Sequence, residues 1–158
     1  MTKLATRNDL YEIDFHEWTR QQAKLLRERR WDDLDLENLI EEVQSVGIRD
    51  KREIASRLLV LLAHLLKWRF QPGARGTSWV GTIREQRSRI ARVIADSPSL
   101  QIYPASVFVD EYEGARLLAS NETGIAYDLF PETCPFTIEQ VLDANFWPEE
   151  PGHLGSPP

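Results

Sequence analysis

Leu58-Leu59-Val60-Leu61-Leu62-Ala63-His64-Leu65-Leu66 is apolar at every position but His64. A helix apolar on all sides is normally buried on all sides. The run lies in a segment from about Arg49 to Phe70 that Pro72-Gly73 breaks. It reads as the central helix of an all-α, single-domain bundle of five or six helices. On its N-terminal side, Leu36, Leu39, Ile40, Val43 and Val46 mark a helix over about 36–46. Gly47 either ends that helix or is a soft point within one long helix. Further back, Phe15, Trp18, Leu25 and Leu26 mark a helix from Asp14 to Arg30, with Asp14 as N-cap and Gln22 in a gap of the apolar stripe. The acidic Trp31-Asp32-Asp33-Leu34-Asp35 between them reads as a turn, any Asp of which can cap the next helix.

On the C-terminal side, Thr77 or Ser78 is expected to cap a helix running to about Asp96, with Trp79, Ile83, Ile90, Val93 and Ile94 inward. Leu100 to Val109 has strand-like content, but Pro104 in its middle favours a helical turn and then a helix over about 104–121. Phe108, Tyr112, Ala115, Leu118 and Ala119 carry its stripe, and Gly124 stops it. Thr137 and Gln140 have capping-box spacing before a last short helix. The domain is expected to fill 1–147, with 148–158 a Pro/Gly-rich tail.

With 158 residues, 42 % apolar and 28 % charged, the chain can build a core without disulfides or a structural metal. Its single cysteine, Cys134, excludes an internal disulfide and a Cys-based zinc site. No apolar run nears the roughly 20 residues of a transmembrane helix, and the first residues lack a signal peptide's apolar stretch. No membrane association and a cytoplasmic location are therefore expected. The net charge of −6 averages unlike segments: residues 1–48, 49–92 and 93–158 have balances of −4, +8 and −10. A basic hairpin paired within an acidic shell explains this, as does a basic surface for an anionic partner. The overall negative charge disfavours nucleic acid.

Polar residues on apolar faces are the informative ones, since burying them unpaired is costly. They are His64, Gln22, Arg87 on the line Val80, Ile83, Arg87, Ile90, Ile94, and Glu42 beside Leu39 and Val46. His64, Lys67 and Trp68 share one helix face. A tight turn near Ala74 brings them toward Ser78, Trp79, Arg84 and Arg87. Such a tip has anion-binding chemistry: Lys67, Arg84 and Arg87 as clamps, Trp68 or Trp79 as a stacking wall, His64 as acid–base group. The same residues also suit a stabilised turn in which His64 bonds a backbone carbonyl.

Glu41 and Glu42 invite a metal reading. If the helices form a hairpin around Gly47-Ile48, however, Glu42 lies opposite Glu53 or Ile54. His64 is then roughly 15 Å further along, and Arg57 is the better partner for the acidic pair. No metal site or other cofactor is expected. The chain has no H-E-x-x-H, no glycine-rich phosphate loop, and no Glu followed three residues later by an acid. His16, His64 and His153 lie on separate segments, and Cys134, between Thr133 and Pro135, has no nearby His. A buried or inert thiol is expected there.

The blocks Tyr11-Glu12-Ile13-Asp14-Phe15-His16-Glu17-Trp18 with Gln22, Leu34-Asp35-Leu36-Glu37-Asn38-Leu39-Ile40-Glu41-Glu42-Val43, and His64-Leu65-Leu66-Lys67-Trp68 with Pro72 and Ser78-Trp79 occur in order. Ile83-Arg84-Glu85-Gln86-Arg87, Ser97-Pro98-Ser99-Leu100, Glu122-Thr123-Gly124, Phe130-Pro131 and Cys134-Pro135-Phe136 follow. Together they resemble the bacterial family known as domain of unknown function twenty-nine, over roughly residues 8–148. The resemblance implies an all-α bacterial protein and adds no activity, substrate or cofactor. Two functional expectations stand side by side. One is a helical module that binds a protein partner or a second copy. The other is a small anion-, phosphate- or nucleotide-binding pocket, with or without catalysis, at the 64–87 hairpin tip.

Overall fold

The computed structural model describes residues 7–149. Among them lie six α-helices and no strand: α1 (Arg7–Ile13), α2 (Phe15–Arg27), α3 (Leu36–Phe70), α4 (Thr77–Asp96), α5 (Tyr103–Thr123) and α6 (Ile138–Leu142). Single 3-10 turns stand at Trp31–Asp33, Pro72–Ala74, Pro98–Leu100 and Tyr127–Leu129. The all-α expectation is met, with the 58–66 run inside the longest helix. No helix among the described residues is long and apolar enough to cross a membrane. The chain divides into two compact units, one ending at Arg49 and one beginning at Asp50.

The first unit is built by α1, α2 and the first part of α3. Asp14 caps α2, its carboxylate accepting the Glu17 N–H at 2.9 Å. The helix ends at Arg27 rather than Arg30, because Arg29 turns the backbone left-handed at φ 56°. Trp18, Gln22 and Leu25 are buried, while Phe15 and Leu26 of the expected stripe are exposed, at 47 and 42 %. Tyr11 stands edge-on to both Phe15 and Trp18, at 5.7 and 4.9 Å between ring centres.

α3 runs unbroken for 35 residues, so Gly47 is a position within one long helix. Nothing lies within 4 Å of where a Cβ would sit on Gly47. The hairpin considered around Gly47-Ile48 does not exist. Arg57 is therefore about four turns further along the same helix from Glu42 and not across a hairpin from it. It pairs instead with Glu53 at 2.9 Å and donates to Gln86 at 3.2 Å.

In the second unit, Ile54, Leu58, Leu61, Leu62, Ala63, Leu65 and Leu66 of α3 have no exposed surface. Ile83 and Ile90 of α4, Tyr112, Ala115 and Ala119 of α5, Phe130, Phe136 and Val141 complete this core. Trp79, Val93 and Ile94 are only partly buried, the last two packed at the margin of this core. Gly114 of α5 lies close against Leu59 of α3, and a Cβ there would meet Leu59 Cδ1 at 2.7 Å, so the leucine tip would have to shift. The N-cap of α4 is Gly76, not Thr77 or Ser78, and it has no side chain to offer. Pro104 lies in the first turn of α5, Gly124 ends that helix at φ 74°, and Thr137 with Gln140 forms the expected capping box of α6. Pro148, at the start of the expected tail, is buried. The rest of that tail, from 150, lies outside the described residues, as does His153.

Candidate functional site

The α3–α4 connection brings the tip residues to one end of the second unit and commits most of their polar groups. Lys67 is buried, and its Nζ pairs with Glu122 Oε2 at 2.6 Å, beside the Trp79 ring at 4.7 Å. His64 is half-buried and gives its Nδ1–H to the Val60 carbonyl at 2.9 Å, one turn back on its own helix. Burial holds its imidazole below its ordinary pKa, the Val60 bond and Glu122 opposing and Lys67 adding to the shift. Arg75 donates from Nε to the Trp68 carbonyl at 2.7 Å with its guanidinium over the Trp68 ring, and Trp68 packs on Trp147 at 4.7 Å. Ser78 and Arg84 are exposed.

Arg87 lies beside this end, its guanidinium 5.8 Å from the ring of the Trp147 that packs on Trp68, but its hydrogen bonds go elsewhere. It is 5 % exposed and donates from Nε to the Val141 carbonyl at 2.8 Å and from Nη2 to the Phe146 carbonyl at 2.9 Å. It therefore ties the segment after α6 to α4. His64, Lys67 and Arg87 each have a defined partner, and each partner is different. The sequence reading brought Lys67 and Trp79 together correctly. It missed Glu122 and Trp147, which arrive from distant segments and carry no local signal. It also missed Arg116, which was legible: the only base in 93–158, it stands one turn after Tyr112 on a buried face. Arg116 donates to the Tyr127 hydroxyl and the Phe130 carbonyl.

The first unit has its own polar network. Asp35, buried just before α3, accepts the Trp18 indole N–H at 3.0 Å and the Asn38 amide at 2.8 Å. Its own N–H donates to Gln22 Oε1 at 2.9 Å. Gln22 thus fills its gap by closing the α2–α3 turn, since a buried backbone N–H needs a partner. Glu42 accepts the Tyr11 hydroxyl at 2.6 Å, a bond that above all else pushes the phenol up to about 12. Glu41 is exposed. No group of three or more His, Cys, Asp or Glu among the described residues is placed to hold a metal ion.

Beside this network lies an uncovered apolar face. Leu36, Ile40 and Val43, at one-turn spacing on α3, are 56, 57 and 72 % exposed, and Val46 and Ile48 are exposed as well. Glu37 and Glu41 edge the strip. From Trp31 to Ile48 the chain has six acidic side chains and no Lys or Arg.

The family model described as "Domain of unknown function DUF29" matches residues 10–147 of the chain. No curated protein and no solved structure matches it.

Proposed function

This chain belongs to the DUF29 family, and we propose that it is a binding module whose first unit docks an amphipathic helix of a protein partner. The observation that carries this reading is the strip Leu36, Ile40 and Val43, left open to solvent on a regular helix. Apolar side chains at one-turn spacing along a helix are what a partner helix uses as anchors. The edges decide the partner's chemistry. Glu37 and Glu41 beside the strip favour a helix with Lys or Arg flanking its apolar face and disfavour an acidic one. The same strip of a second copy would bring acid against acid. The buried lysine of the 64–87 tip supports the reading indirectly, since Lys67 is already paired with Glu122 inside the second unit. We place this work in a bacterial cytoplasm. Cys134, partly buried with its thiol pushed up by burial to about 11, suits a reducing compartment where it stays a thiol.

The test uses the full chain and two labelled helical peptides with the same Leu/Ile face, one edged with Lys and one with Glu. Fluorescence anisotropy should show saturable binding of the Lys-edged peptide, weakened by salt and abolished by Ile40→Glu, a change at an exposed position that the fold tolerates. Equal binding of the two peptides, no binding of either, or a stable dimer that Ile40→Glu dissociates would overturn the reading.

A further inference from the structure

The second unit holds a cleft of about 460 Å³, inside the roughly 300–1,000 Å³ of small-molecule sites. Ile90, Ala91 and Ile94 of α4 and Leu142 of α6 form its apolar walls. Among the described residues that line it, Arg87, one turn before Ile90 and Ala91, and Gln101 are the polar ones. Arg87 is thus a cation set into an otherwise apolar cleft.

Its bonding is incomplete. Two carbonyls take its Nε and Nη2, while Nη1 is buried with no hydrogen-bond partner. No carboxylate among the described residues forms an ion pair with it, although Asp143 acts on it at longer range. The other buried cation of this unit with a neighbouring acid, Lys67, has its carboxylate at 2.6 Å. A buried, charged N–H without an acceptor is costly, and an anion supplied from outside removes that cost. A second cleft, of about 340 Å³ beside Arg116, makes the contrast: Glu113 and Glu132 line it as well, so it repels an anion.

We infer that the cleft beside Arg87 binds a small monocarboxylate with a hydrocarbon body. The carboxylate meets the Arg87 guanidinium, and the hydrocarbon lies on Ile90, Ile94 and Leu142. The two N–H groups of the unpartnered Nη1 suit the two oxygens of one carboxylate, whereas a phosphate dianion brings a second charge that no other cation among the described lining residues meets. Burial lowers the Arg87 pKa from its ordinary value, and a bound carboxylate offsets that effect. This site is independent of the strip on the first unit, so each stands or falls by itself.

The experiment titrates the full chain with octanoate, and in parallel with 1-octanol, following backbone amide resonances and the Arg87 side-chain Nε–H. Octanoate is expected to shift Ile90, Ile94, Leu142 and Arg87 saturably and to raise the melting temperature with concentration. 1-Octanol should bind about tenfold to a hundredfold more weakly, the worth of one charge-assisted hydrogen bond. Ala91→Phe, on the solvent side of α4, should fill the cleft and abolish octanoate binding while the Arg87 Nε–H resonance stays in place. Arg87→Gln should weaken octanoate to the level of the alcohol. If that variant fails to fold because the ties to Val141 and Phe146 are lost, the alcohol and Ala91→Phe decide the matter. Equal affinity for acid and alcohol, shifts confined to other residues, unaltered binding by Ala91→Phe, or no octanoate binding would each overturn the inference.

Discussion

Two stretches of α3 carry the same apolar spacing and meet opposite surroundings. Ile54, Leu58, Leu61 and Leu65 stand at i, i+4, i+7 and i+11 and have no exposed surface. Leu36, Ile40, Val43 and Gly47 repeat that spacing, and the first three remain more than half exposed. Periodicity marks a face that can be buried, and what buries it depends on the rest of the unit. In the second unit α4, α5, α6 and the loops between them supply the cover. In the first unit the short α1 and the 13 residues of α2 reach only Leu39, Asn38 and Glu42, which are partly buried. The neighbours of the two stretches differ as well. The covered stretch is apolar from Leu58 to Leu66 except at His64, whereas acids edge the uncovered one.

The strongest way to break this contrast is to truncate each stretch in turn. Leu61→Ala leaves a cavity in the closed core and should cost about 2–5 kcal/mol in urea unfolding. Val43→Ala removes surface already in water and should fall within about 0.5 kcal/mol, on the stabilising side because Ala is the better helix former. If the two cost the same, the first stretch is covered in solution and the docking face is lost.

The outcome of that pair was only half legible in the sequence. The 58–66 run announced a buried helix because no polar face was left to turn outward. The 36–46 stripe announced a helix and nothing about its cover, because exposure depends on elements far away in the chain. The same limit applied at Gly47, where α3 continues although Ser45, Val46 and Ile48 beside the glycine are themselves indifferent helix formers. It applied again at the candidate site. Lys67 and Trp79 were readable from hairpin arithmetic, while Glu122, Phe146 and Trp147 arrive from 55 to 80 residues away and leave no trace in local spacing. Arg87 was readable as a polar residue on an apolar line, but its carbonyl partners were not.

A smaller effect tests whether the first unit stands on its own polar network. Asp35→Ala removes the acceptor for Trp18 Nε1 and for Asn38. Leaving a buried indole N–H without a partner should cost about 1–3 kcal/mol. Hydrogen exchange should locate the loss: amides of 15–27 should exchange faster while those of 54–66 keep their protection. Uniform acceleration across both stretches would mean that the units unfold together.

Gly47→Ala sharpens the comparison in the opposite direction. The added methyl meets open space, and a helix interior gains about 1 kcal/mol when Ala replaces Gly. Exchange around 43–51 should slow. An unchanged rate would show that this part of α3 is already as rigid as the covered part.

The smallest effects are in pH, and the two stretches should respond at opposite ends of the scale. In the covered stretch, burial holds the His64 imidazole below its usual 6.5, so the unfolded chain takes up the proton first. The stability due to neutral His64 is therefore complete above about pH 6.5 and is lost as pH falls from there through the lower folded value. In the uncovered part, the bond to Glu42 raises the Tyr11 phenol from 10.0 to about 12, so the unfolded chain loses its proton first. The stability due to the Tyr11–Glu42 bond is therefore fully present below pH 10 and is lost as pH rises from 10 to about 12. Exchange of α1 and α2 amides should rise on the alkaline side in the native chain and not in Tyr11→Phe. The acid-side loss of stability should shrink in His64→Gln. A tyrosinate absorbance titration of Tyr11→Phe against the native chain isolates the raised phenol. If the missing transition lies near 10, the Glu42 bond does not form in solution and the first unit loses one of its ties between α1 and α3.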